Sequence, residues 1–149
     1  MDDAGVVGRE DGGRGRIESV RPNVTTDTAA LRVLVVDDEP LIRWSLGETL
    51  ADAGHVVKAA GSAAEAVAVL ENGWAPDVVL LDLRLPDSDD LGLLASVRRL
   101  LPDTPVIMMT AYGAPELLAG ASRLGVYRVV SKPVDMAEML TLVRRSHES

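Results

Sequence analysis

The chain has 149 residues, with 15 Lys and Arg against 23 Asp and Glu for a formal net charge of −8, and it contains no Cys. At roughly 100 to 200 residues per domain, this length supports one compact domain and excludes a second large one. Disulfides and thiolate metal sites are excluded as well. The acidic balance argues against nucleic-acid binding through a basic face. The longest apolar runs fall far short of the roughly 20 residues that cross a bilayer. The first residues lack the basic and apolar regions of a signal peptide. A soluble cytoplasmic protein with no direct nucleic-acid or membrane contact is the expectation.

Residues 1–29 (MDDAGVVGREDGGRGRIESVRPNVTTDTA) show no sustained period of 2.0 or 3.6 and read as a disordered tail. A domain is expected at 30–149. From Leu31 onward, short apolar runs alternate with helical patterns. The runs LRVLVV (31–36), HVVKA (55–59), DVVLL (77–81), PVIMM (105–109) and YRVVS (127–131) predict five strands. The first, third and fourth are apolar on both faces, as central parallel strands require. The second and fifth carry His55, Lys58, Tyr127 and Arg128 and suit sheet edges.

Helices are predicted between and after these runs from stripes at helical spacing. The stripes are Ile42, Leu46, Leu50, Ala53; Ala63, Ala66, Val67, Leu70; Leu91, Leu94, Val97, Leu101; Leu117, Ala121, Leu124; and Met136, Met139, Leu140, Val143. Ser62 with Glu65 reads as a capping box, Pro40 and Pro115 suit first helical turns, and Gly54 suits a helix stop. Helix four is the weakest, because Gly113, Pro115 and Gly120 fall in or beside it. Trp44 and Trp74 read as packing or boundary residues, His55 as solvated, and the methionines of the last helix as core. Five βα units imply an open, doubly wound α/β sheet with its ligands at the carboxyl ends of the strands.

Those strand ends carry the chemistry. Strand one runs into Asp37, Asp38 and Glu39, strand three into Asp82, strand four into Thr110, and strand five into Ser131, Lys132 and Pro133. Right-handed crossovers bring all four ends to one edge of the sheet. Carboxylates gathered there repel one another unless a cation joins them. With neither Cys nor a nearby His, oxygen ligands favour a hard cation, Mg²⁺ above all. An Asp at position 82, with a reference pKa of about 3.9, is ionised at neutral pH and can act as a nucleophile without a general base. Phosphoryl transfer suits it, with Mg²⁺ and the Lys132 ammonium on the phosphoryl oxygens and a hydrogen bond from Thr110.

Residues 31–147 resemble the receiver domains of two-component response regulators. The resemblance rests on the acid pair in LRVLVVDDEP, the acceptor in VVLLDLRLPDSD, the hydroxyl in PVIMMTAYG and the lysine and proline in VVSKPVD. It implies a flavodoxin-like (βα)5 sandwich with a parallel sheet of order 2-1-3-4-5. It further implies that Asp82 accepts a phosphoryl group from a histidine kinase or phosphotransfer protein. Asp37, Asp38, Asp82 and the backbone carbonyl of Arg84 would hold Mg²⁺, Thr110 would swing toward the phosphoryl group, and Lys132 would contact it. The face made by helix four, strand five and helix five would then change, binding a downstream protein target or a second copy of the chain.

Two positions depart from the family pattern, and a third bears on the phosphoryl group. Val129 stands where the family has a switch aromatic, and Tyr127, two residues earlier, is the substitute if it shares a strand face with Val129. Asp90 replaces a Gly at the turn into helix three. Arg84, two residues beyond the acceptor, either shields the phosphoryl group or faces solvent. The texture of LIRWSLGETL and DLRLPDSDDLGLL resembles receivers of the nitrogen-regulation class. No GxxxxGK[ST] string and no second helical domain occur, so the expectation is a stand-alone receiver or a truncated regulator without its DNA-binding output. This is a signalling module rather than a turnover enzyme. The alternatives are a pseudo-receiver that binds partners without phosphorylation and a Mg²⁺-dependent phosphatase. The second is disfavoured because Arg84 stands where such hydrolases carry a second acid.

Overall fold

The computed structural model describes residues 30–85, 87, 91–111 and 113–148. The tail expected at 1–29 and the Asp90 turn lie outside the described residues. Strands and helices alternate strictly. They are β1 (Arg32–Val36), α1 (Pro40–Asp52), β2 (Val56–Ala60), α2 (Ala63–Glu71) and β3 (Val78–Asp82). There follow α3 (Gly92–Leu100), β4 (Val106–Thr110), α4 (Pro115–Arg123), β5 (Arg128–Ser131) and α5 (Met136–Glu148). The five strands pair in parallel in the order β2-β1-β3-β4-β5, the flavodoxin-like arrangement. The central strands are the ones apolar on both faces along most of their length, and the two with His55, Lys58, Tyr127 and Arg128 in or beside them lie at the edges, as their patterns required.

Alternation along the strands divides the core in two. Leu34, Val36, Val79, Leu81, Val106 and Met108 meet Ala66 of α2, Leu93, Leu94 and Val97 of α3, and Ala121 of α4. Val33, Val35, Val78, Leu80, Ile107 and Met109 meet Leu46 and Leu50 of α1 and Met139, Leu142 and Val143 of α5. Each fully buried aliphatic side chain contributes about 1.5–3 kcal/mol relative to exposure. Both faces are covered, which is why the central strands carry no polar alternation.

The local signals act where expected. Ser62 Oγ accepts from the Glu65 amide at 3.1 Å, while Glu65 Oε1 accepts from the Gly61 amide at 2.7 Å, one residue ahead of the usual box partner. Asp87 completes this cap from across the chain, its carboxylate accepting from the Ala63 and Ala64 amides at 2.8 and 3.0 Å. Pro40 and Pro115 open α1 and α4, and Gly54, at φ 95°, closes α1. Gly120 inside α4 sits close against Leu91, whose Cδ1 would lie within 2.5 Å of a Cβ there and would have to move aside.

Three readings need correction. His55 is buried rather than solvated, because its Nδ1 accepts the Leu31 amide at 3.1 Å and so satisfies the start of the sheet. Ala53 is exposed at the cap of α1 rather than part of its apolar stripe. Trp44 is 63% exposed on α1, whereas Trp74 packs against the core with Arg32 and Lys58 over its ring.

Candidate functional site

Register builds the site. Pairing of Val36 with Leu81, of Asp82 with Met109, and of Thr110 with Ser131 aligns the carboxyl ends of β1, β3, β4 and β5. The residue after β1 is held by its amide, Asp37 N–H donating to Ala60 O at 3.1 Å. The residue after β5 is held likewise, Lys132 N–H donating to Thr110 O at 2.9 Å. Asp37, Asp82 and Thr110 are all buried there.

Lys132 is the hub. Its ammonium donates to Glu39 Oε1 at 2.8 Å and to Asp82 Oδ2 at 3.1 Å, and lies 3.0 Å from Asp37 Oδ2. Burial works against its charge, but the carboxylates of Glu39, Asp37 and Asp82 around it outweigh that and hold the ammonium well above its usual range. Burial also pushes the Asp82 carboxyl above the ordinary carboxylate range. A hydrogen bond from the Arg84 amide opposes this, the Asp37 charge adds to it, and Lys132 opposes it again. The bond from Arg84 N–H to Asp82 Oδ1 measures 3.0 Å and fixes the carboxylate plane.

The acid cluster retains donor capacity. Asp37 Oδ1 accepts from the Glu39 amide at 2.9 Å, but Asp37 Oδ2 is buried with no hydrogen bond, its neighbour Lys132 meeting it as an ion pair only. Oxygen atoms of Asp37, Glu39 and Asp82 lie within 4.8 Å of one another. An all-oxygen set of this kind, with one carboxylate oxygen accepting no hydrogen bond, fits a hard divalent cation. Among the described residues, Glu39 joins this trio and Asp38 does not, although both are exposed. The signal for Glu39 was its place at the same strand end, two residues after Asp37.

The remaining candidates fall around this cluster. Arg84 is exposed. Val129 packs against the core face that includes Met108, the face to which alternation also assigns Thr110. Tyr127 does not share it. It precedes β5 and packs against the opposite core with Val130, so the expected sharing of a strand face is overturned. Arg98 went unnoticed in the sequence. From α3 its guanidinium donates to the carbonyls of Leu101, Thr104, Leu124 and Gly125 at 3.1, 2.6, 2.7 and 2.9 Å.

The family model of the response regulator receiver domain matches residues 33–144. The DNA-binding transcriptional regulator NtrC of Proteus hauseri is 37% identical over 114 residues, covering 76% of this chain and 24% of that protein. The regulatory protein AtoC of Escherichia coli K12 is 37% identical over 119 residues, covering 80% of this chain and 26% of its own. The chain thus spans about a quarter of the length of these relatives. Among solved structures, a CheY-like receiver domain protein from Methanospirillum hungatei JF-1 matches with a TM-score of 0.77 at 29% identity, covering 80% of this chain and 95% of that one. The receiver domain of NtrX from Brucella abortus matches with a TM-score of 0.72 at 34% identity, covering 78% and 98%. No helix of the described residues is long and apolar enough to cross a membrane.

Proposed function

This chain belongs to the response regulator receiver domains, and on that footing we propose that it is a phosphoacceptor signalling module in which Asp82 takes a phosphoryl group from a histidine kinase or phosphotransfer protein. The observation that carries this reading is the buried Asp82 carboxylate with the Lys132 ammonium 3.1 Å away, beside an Asp37 oxygen that lacks a hydrogen bond.

A carboxylate oxygen of Asp82 forms the new O–P bond as the P–N bond to the donor imidazole breaks. Lys132 lies where it can follow the charge from the carboxylate onto the phosphoryl oxygens, and the Arg84 amide keeps the nucleophile oriented. Asp37, Asp38, Asp82 and the Arg84 carbonyl would hold Mg²⁺, with Glu39 close enough to join or exchange with them. When bound, that cation neutralises charge on the transferring group. Thr110, buried beside Lys132, would donate to the phosphoryl group and couple it to the α4, β5 and α5 face, where Val129 replaces an aromatic gate.

The phosphorylated α4, β5 and α5 face would bind a downstream protein or a second copy of the chain. The net charge of −8 supports protein rather than nucleic acid as the partner, and the setting proposed is the cytoplasm. The domain would run from 30 to 149 with 1–29 appended. Val129 at the gate position favours a second reading, a pseudo-receiver that binds partners unphosphorylated. Incubation with Mg²⁺ and acetyl phosphate, followed by intact-mass measurement, separates the two. A single phosphoryl adduct that requires Mg²⁺ and is lost in Asp82→Asn is expected. A folded wild-type chain that gains no adduct from acetyl phosphate or from kinases overturns the proposal in favour of the pseudo-receiver.

A further inference from the structure

Asp37 is fully buried, and three of its groups have fixed partners. Its amide donates to Ala60 O at 3.1 Å, its Oδ1 accepts from the Glu39 amide at 2.9 Å, and its carbonyl accepts from Arg43 Nη1 at 2.7 Å. The third partner is unlike the others, because it is a side chain of α1 reaching back over the β1–α1 loop. A buried carbonyl requires a partner, and a charged donor at this distance is a strong one. The carbonyl belongs to the peptide that joins Asp37 to Asp38, so its orientation sets where the second acid of the pair begins.

The neighbouring β2–α2 loop is shaped to admit that guanidinium. A Cβ on Gly61 would come within 2.8 Å of Arg43 Nη1, so a glycine stands where any larger residue would push the head of Arg43 aside. The obstructed atom is the far end of a flexible side chain, so such a displacement would cost the fold little while breaking the bond to Asp37.

We infer that Arg43 is a positioning residue for the acid cluster, holding the Asp37–Asp38 peptide in the orientation that keeps the buried Asp37 carboxylate beside Glu39 and Asp82 for a divalent cation, and that Gly61 is the space in which it does so. The inference rests on the reading of this edge as a Mg²⁺-assisted phosphoryl-acceptor site, and its test is made on metal binding alone.

The test is isothermal titration of Mg²⁺ into the full chain, without phosphodonor, for wild type and for Arg43→Met, Arg43→Lys and Gly61→Ala, with melting temperatures recorded beside it. Outer-shell partners of metal ligands typically tune affinity 10- to 100-fold, so a loss of about tenfold is expected in Arg43→Met. A loss of the same order is expected in Gly61→Ala, which leaves every charge in place, and most of the affinity should return in Arg43→Lys. An Arg43→Met affinity within about twofold of wild type overturns the inference, well below the range for such partners. So does a loss in all three variants that merely follows their melting temperatures. A wild type that binds Mg²⁺ with the expected pattern among variants, yet takes up no phosphoryl group, leaves the inference standing and removes the acceptor reading.

Discussion

Lys132 is surrounded by three carboxylates at 2.8 to 3.1 Å, with only 11% of its side chain exposed. Removing one partner of a buried ionic cluster costs about 3–5 kcal/mol, because the charges left behind lose their compensation. Lys132→Met is therefore expected to lower the urea-unfolding free energy by about 3 kcal/mol without divalent cations. The loss should be smaller with Mg²⁺ present, since a bound cation would replace the missing charge. His55 makes the opposite kind of demand. Its Nδ1 accepts the Leu31 amide, and burial, with the Arg144 charge adding to it, holds the imidazole below its ordinary value of 6.5. The unfolded chain therefore takes up a proton first as the pH falls through 6.5, and stability present above that pH is lost on the way down. Asp82, whose carboxyl is raised, acts in the reverse sense. The contribution of His55 is thus the difference between wild type and His55→Gln. Melting temperatures should fall more steeply between pH 7.5 and 5.5 in wild type than in the variant.

At the scale of elements, two long-range contacts hold helix ends that sequence patterns leave open. Arg98 ties the end of α3, the loop before β4 and the end of α4 together through four carbonyls, and burial lowers its pKa from the usual guanidinium value, with Asp103 opposing. Hydrogen bonds to charged donors contribute about 1.5–3 kcal/mol each and are not additive, so Arg98→Met should cost about 3 kcal/mol in all. Amide exchange should quicken at the end of α4, around Leu124 and Gly125, while α1 and α5 stay protected. Asp87 caps α2 from the loop after β3. The Ala63 and Ala64 amides hold its carboxyl below the usual range. A depressed carboxyl stabilises above its unfolded pKa of 3.8 and loses that effect as the pH falls through its folded value. Asp87→Ala should therefore speed exchange at Ala63 and Ala64 near neutral pH, and the difference from wild type should vanish in acid.

At the scale of the whole molecule, the strands and helices were legible because each central run is apolar on both faces and each helix carries one stripe. Every strand nonetheless begins one residue later than its apolar run suggested. The leading residues of these runs serve the turns instead, as when His55 receives the Leu31 amide and the Asp77 carboxylate receives the Arg32 amide. Sheet order came from the resemblance, since no local pattern encodes which strands pair. The acid cluster and Lys132 were legible because parallel topology gathers strand ends on one edge. Glu39 was read as a strand-end acid but not as a member of the trio. The long-range contacts of Arg98 and Asp87 were not legible, because these reach backbone groups 23 to 27 residues away for which no side-chain pattern exists. Tyr127 was misplaced because period-2 alternation was carried one residue beyond the start of β5.

The central claim is that this architecture makes Asp82, and not its acidic neighbours, the phosphoryl acceptor. Borohydride reduces an acyl phosphate to an alcohol, so treating the chain after exposure to Mg²⁺ and acetyl phosphate, then mapping its peptides by mass, reads out the modified residue directly. The account predicts homoserine at position 82 alone. Reduction at position 37, 38 or 39, or at none of them in a folded chain, would contradict it.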